Sequence, residues 1–91
     1  HNYRNALADY DKAVTLAPSD AQCYYNRGVL RQEVGDYNRA LEDFSQAILL
    51  APEQIEMYYQ RGMILLQLQQ WQEALQDFNT IMQRYPYFLP A

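Results

Sequence analysis

Few residues in this chain could do covalent chemistry, and their surroundings argue against it. His1 is the only histidine and stands at the first position. Cys23 has no histidine partner and no cationic neighbour in sequence, so it lacks the groups that lower a thiol's pKa. It reads as a small packing residue near a helix start. Glu42 and Asp43 are adjacent, and adjacent residues point apart on a helix, so they do not form a carboxylate pair for acid–base work. No glycine-rich phosphate loop is present, and no His, Cys and carboxylate set has metal-ligand spacing. The expectation is no catalytic residue, no cofactor and no metal site.

Arg27 and Arg61 carry more information. Each is followed 16 residues later by an aspartate, Asp43 and Asp77. Two roles compete: an ion pair between neighbouring helices, or a grip on an acidic ligand. The partner recurs with the arginine, which favours the ion pair. Asp9 is a second candidate partner for Arg27. Arg39, four residues before Asp43, competes for that carboxylate, whereas Glu73 stands in its place before Asp77 and adds like charge. The two pairs are therefore expected to be unequal.

The pairs recur because the chain repeats with a period of 34. Tyr24, Tyr25, Arg27, Gly28, Tyr37, Ala40, Leu41, Asp43, Phe44 and Pro52 return as Tyr58, Tyr59, Arg61, Gly62, Trp71, Ala74, Leu75, Asp77, Phe78 and Pro86. One period earlier the second half stands as Tyr3, Ala6, Leu7, Asp9, Tyr10, Ala13 and Pro18. A fixed period of this length, with small residues at helix crossings and a closing proline, is the mark of a helix–turn–helix solenoid. The pattern strongly resembles the tetratricopeptide repeat (TPR) family over almost the whole chain. That resemblance implies an all-α fold, an α-solenoid of antiparallel helix pairs in a right-handed superhelix, with about two and a half repeats. Within a single TPR domain, 1–91, residues 1–20 are expected to be the second helix of a truncated repeat. Residues 21–54 and 55–88 are complete repeats, and 89–91 begin a further one. Both ends read as cuts through a longer array.

Local signals place the elements. Apolar residues at helical spacing predict a helix over about 3–17, stopped by Pro18. Ser19 or Asp20 caps the next helix, over about 20–34, and Ser19 with Gln22 has capping-box spacing. Gly35 suits a left-handed residue at the helix end, and Asp36 caps a helix that ends near Ala51. In the family, Gly28 and Ala40 lie where the helices of a repeat cross most closely. The later repeat departs from the pattern: Gln69 and Gln70 replace Gly35 and Asp36. A non-glycine residue in the left-handed region costs roughly 1–2 kcal/mol, so the turn is either reshaped or strained, with Trp71 supplying apolar area in compensation. Ile81 replaces the alanine of earlier repeats and requires the packing to open or shift. The last helix is expected to end near Tyr85, before Pro86. The recurring aromatics Tyr10, Phe44 and Phe78 read as core rather than a cofactor box.

Composition narrows the partner. The chain has 91 residues, 49% of them apolar and 20% charged, with a net charge of −4, which fits a folded domain rather than a disordered one. Lys12 is the only lysine and the arginines are scattered. Binding to a nucleic-acid backbone needs clustered cations, so no nucleic-acid partner is expected. The longest apolar run, 47–51, is far short of the roughly 20 residues that span a bilayer, so no membrane insertion is expected. A single cysteine forms no internal disulfide.

What remains is a protein or peptide partner. In the family, the first helices of successive repeats line a concave groove. Its residues here are Gln22, Tyr25, Asn26, Val29, Gln32 and Glu33, then Glu56, Tyr59, Gln60, Met63, Leu66 and Gln67. Tyrosine offers rigid contact area with a polar tip, and methionine adapts to varied shapes. Some TPR proteins grip a chaperone's C-terminal carboxylate with Lys, Asn and Arg. Asn26 matches one of those positions, but Glu56 and Gln60 stand where that clamp places cations, so the activity does not carry over. The leading function is a scaffold that binds an extended peptide or partner helix on this face. The alternative is a structural module that associates with further copies through the exposed ends of the array.

Overall fold

The computed structural model describes residues 3–84. Five helices follow in order: α1 (Tyr3–Leu16), α2 (Ala21–Glu33), α3 (Tyr37–Leu50), α4 (Ile55–Gln67) and α5 (Trp71–Arg84). The described residues contain no strand. Each helix packs against the next in sequence, giving the helical solenoid that the period implies. The expected helix end at Tyr85, Pro86 and the start of a further repeat lie outside the described residues, as does His1.

Two kinds of turn alternate, and each recurs after one period. In the first, Asp20 N donates to Ala17 O at 3.0 Å and, 34 residues on, Gln54 N donates to Ala51 O at 3.2 Å. Here the tyrosine hydroxyls act as latches: Tyr24 Oη donates to Pro18 O and Tyr58 Oη to Pro52 O, both at 3.0 Å. Each hydroxyl thus ties the first turn of a helix to a carbonyl of the turn that precedes it. The cap of α2 is Asp20, whose Oδ1 accepts from Gln22 N at 3.0 Å, so the Ser19–Gln22 capping box does not form.

In the second kind of turn, Asp36 N donates to Arg31 O and Gln70 N to Leu65 O, both at 2.8 Å. This six-to-one bond closes a helix through a left-handed residue. Gly35 takes that residue's conformation at φ +86°, and Gln69 takes it at φ +62°. The later turn is therefore not reshaped; it keeps the same geometry and carries the strain. Asp36 occupies the cap position of α3 without a side-chain bond to the helix. Trp71 does not offset the strain as expected, for it stays 59% exposed. Tyr37, its counterpart, packs against a buried cluster.

Two apolar clusters join the repeats. Ala40, Phe44 and Ile64 form one, with Val29, Tyr37 and Leu41 against it. Ala47, Ile48, Met57, Tyr58 and Ile81 form the other. The larger side chain at Ile81 is accommodated entirely, with no exposure. The expected close crossing at Gly28 is a helix-on-ring contact. A Cβ there would meet Phe44 Cε1 at 3.0 Å, and at Gly62 it would meet Phe78 Cζ at 2.9 Å.

Candidate functional site

The arginine–aspartate pairs form, and they form unequally. Arg27 Nη2 donates to Asp43 Oδ1 at 2.8 Å, its Nε spans both carboxylate oxygens, and its Nη1 donates to Asp11 Oδ1 at 2.9 Å. Arg31 Nη1 adds a bond to Asp43 Oδ2 at 2.9 Å. Asp43 is buried and thus holds two guanidinium groups. In the next repeat Arg61 Nε donates to Asp77 Oδ2 at 2.8 Å and Nη2 to Oδ1 at 2.6 Å, while Nη1 donates to Ser45 Oγ at 3.2 Å. Asp43 holds Arg27 more firmly protonated than usual through its hydrogen bonds, against the opposing effect of burial, and Asp77 does the same for Arg61. Each arginine also lies over a tyrosine: Arg27 Cζ is 5.8 Å from the Tyr24 ring centre, and Arg61 Cζ is 5.9 Å from that of Tyr58.

Three expectations change here. The partner of Arg27 across the repeat boundary is Asp11, not Asp9. Two residues along a helix rotate a side chain by about 200°, which takes Asp9 away from this contact. Arg39 does not compete for Asp43. It lies 67% exposed, 3.9 Å from Asp36, where solvent screens it. Arg31 was missed, although its position four residues after Arg27 puts it on the same helix face. With their guanidinium groups turned onto Asp43 and Asp77, Arg27 and Arg61 are interhelix ties rather than a grip on an acidic ligand.

The other candidates lie on α2 and α4, both of which pack against α3. Gln22, Glu33 and Glu56 are exposed, and Asn26 and Gln60 are half-buried. Gln22 Nε2 donates to Asn26 Oδ1 at 3.0 Å. Met63 and Leu66 are exposed at 41% and 38%, whereas their neighbours Ile64 and Leu65 are buried. Tyr25 and Tyr59 are half-buried and double as core. The Tyr25 ring tilts against Phe44 at 5.6 Å between centres, and Tyr59 meets Phe78 edge-on at 6.2 Å. Val29 packs on the Ala40–Phe44–Ile64 cluster. Burial and the neighbouring Asp20 push the Cys23 thiol up, away from a reactive thiolate. Among the described residues, no group of His, Cys, Asp and Glu is arranged to hold a metal ion, and no helix is long and apolar enough to cross a membrane.

Repeat, turn and ion pair together define a helical-repeat interaction module. Tetratricopeptide-repeat family profiles match residues 21–54 and 55–88, and the chain belongs to that family, whose domains are protein-interaction scaffolds. Solved structures agree. The second TPR of Spaghetti (RPAP3), bound to the HSP90 peptide SRMEEVD, is 28% identical with a TM-score of 0.83, over 90% of this chain and 76% of that one. A tetratricopeptide repeat protein from Parabacteroides merdae is 30% identical with a TM-score of 0.88, over 93% of this chain and 33% of that one. MamA 41-end from Desulfovibrio magneticus RS-1 shares the fold with a TM-score of 0.89 at 24% identity, over 98% of this chain and 50% of that one. No curated protein matches the chain at a significant level.

Proposed function

We propose that the chain binds an extended polypeptide segment along the face that α2 and α4 share. The observation that carries this reading is the exposure of Met63 and Leu66 on α4 beside buried neighbours, on a face otherwise lined by amides and tyrosines. An extended peptide needs amide partners for its backbone and apolar contacts for alternate side chains. Asn26 and Gln60 lie one period apart, and each offers donor and acceptor. Tyr25 and Tyr59, held from behind by Phe44 and Phe78, present rings whose orientation is set before binding. That reduces the ordering cost on association. The similar RPAP3 domain was solved with a peptide carrying three acidic residues. Here Glu33 and Glu56 stand exposed on the face, which favours a neutral or basic segment instead.

The test is selection of binders from a random peptide display library against the folded chain, followed by titration of the selected peptides. Neutral or basic sequences with alternating apolar residues are expected, at micromolar affinity or weaker, because two repeats offer little contact area. Met63→Glu with Leu66→Glu is expected to abolish their binding. Selection of acidic sequences, or full binding by the double variant, would overturn the reading.

A second reading rests on Trp71 and Leu75, 59% and 57% exposed one turn apart on α5. Exposed apolar stripes promote association, and the chain would then act as a structural module joined to further copies. Light scattering tests it: a concentration-dependent mass that Trp71→Gln removes supports it, and a constant monomer mass refutes it.

A further inference from the structure

Between α3, α4 and α5 lies a cavity of about 240 Å³ whose walls include Ser45, Arg61, Leu65, Gln70, Glu73 and Asp77. One water occupies ~30 Å³ in the liquid, so the space suits a larger group. It is separate from the peptide face: Arg61 is two residues from Met63 and so turned about 200° around α4.

The preceding repeat shows what such a space can hold. Thirty-four residues earlier the same positions are Asp11, Arg27, Arg31, Asp36, Arg39 and Asp43. There Arg31 lays its guanidinium against Asp43 Oδ2 at 2.9 Å and reaches 4.0 Å from Asp11 Oδ1, with its side chain only 12% exposed. In the later repeat Leu65 replaces Arg31 and Ser45 replaces Asp11. Asp77 is as buried as Asp43, yet it accepts from one guanidinium, that of Arg61, where Asp43 accepts from two. A carboxylate has about four acceptor sites, so Asp77 retains capacity. The charge at the rim is also inverted: Glu73 stands where Arg39 stands earlier. Exchanging the oxygen and nitrogen of the Gln70 amide would let it donate to Glu73 at 3.1 Å. Among the described residues, Arg61 is the one cation lining the cavity, and it donates to Asp77 and Ser45.

We propose that this cavity is a subsite for the guanidinium group of an arginine side chain supplied by another polypeptide. The group donates to Asp77 and Glu73, as Arg31 donates to Asp43 within the chain, while Leu41 and Leu65 cover its aliphatic stem. The subsite requires nothing of the α2–α4 face and stands or falls separately from it.

The test is amide chemical-shift titration of the 15N-labelled chain with N-acetyl-arginine amide, against N-acetyl-citrulline amide as the uncharged isostere. Saturable shifts at Ser45, Leu65 and Glu73 are expected for the arginine compound, with binding about tenfold or more weaker for citrulline, since a charged hydrogen-bonded pair is lost. Equal response to both compounds, or arginine shifts confined to other surfaces, would overturn the proposal. Leu65→Arg with Ser45→Asp rebuilds the four-charge set of the earlier repeat. It is expected to melt no lower than the parent chain and to lose the response; a folded variant that keeps it would contradict the assignment. Glu73→Gln, at an exposed position, gives a second check that does not depend on core repacking: several-fold weaker arginine binding at an unchanged melting temperature is expected, and unchanged binding counts against the site. Once saturation is seen, sedimentation distinguishes the source. Self-association dispersed by the arginine compound identifies a second copy, and a monomer throughout identifies a different chain.

Discussion

The guanidinium of Arg61 faces the Asp77 carboxylate in a two-pronged contact, Nε to Oδ2 at 2.8 Å and Nη2 to Oδ1 at 2.6 Å. This ties α4 to α5 as Arg27 and Asp43 tie α2 to α3. The fork geometry matches carboxylate spacing and gives direction as well as strength. Removing the acid strands a largely buried cation, which costs roughly 3–5 kcal/mol when burial is complete. Asp43→Ala takes the buried carboxylate from both Arg27 and Arg31, leaving them only the half-exposed Asp11, and should fall in that range. Asp77→Ala strands Arg61 alone, whose side chain is 25% exposed, and solvent screening makes its cost smaller. Thermal unfolding followed by circular dichroism checks the order: the Asp43 variant should melt lowest, by about 10 °C or more below the parent chain. Equal melting of the two variants would contradict the unequal network.

The strained turn gives a prediction of opposite sign. Gln69 at φ +62° occupies the conformation that Gly35 takes freely. Gln69→Gly should stabilise the chain by up to about 1 kcal/mol, the relief of strain less the glycine's extra entropy in the unfolded chain. Gly35→Ala should destabilise it. A lower melting temperature for Gln69→Gly would show that the side chain of Gln69 contributes more than its backbone costs.

The two glycines under phenylalanine rings should differ in degree. A Cβ at Gly62 would come to 2.9 Å from Phe78, against 3.0 Å from Phe44 for one at Gly28. Phe44 is fully buried and Phe78 only half, so the Phe78 ring has room to yield. Gly28→Ala should therefore cost more, about 1–3 kcal/mol, as for an overpacked core. Urea unfolding of both variants tests the ranking.

Cys23 supplies a chemical check. Burial and Asp20 keep its thiol protonated, and only the thiolate reacts. Alkylation near pH 8 should be slower in the folded chain than in urea, and should accelerate as pH rises. Equal rates in the two states would mean that the thiol is as reactive as a free one.

The helices and their register were legible because 34-residue spacing, prolines and small residues all report backbone geometry. The ion pairs were legible because each aspartate recurs with its arginine. What the spacing did not reveal depends on which way a side chain turns. Asp11 rather than Asp9 meets Arg27, and Arg31 joins Asp43, because contacts across a repeat boundary depend on helix rotation. Trp71 stays exposed although its counterpart Tyr37 is packed. Tyr25 and Tyr59 are proposed ligand contacts, and both also lean on core phenylalanines. Tyr59→Ala therefore removes packing as well as a contact surface, which makes Met63 and Leu66 better probes of binding.

On the proposal, the face formed by α2 and α4 receives an extended peptide. Amide chemical-shift mapping with a selected peptide tests it most directly. Saturable shifts are expected on Asn26, Val29, Gln60, Met63 and Leu66, lost in Met63→Glu with Leu66→Glu at an unchanged helical signal. Shifts concentrated instead on α5, around Trp71 and Leu75, would contradict it.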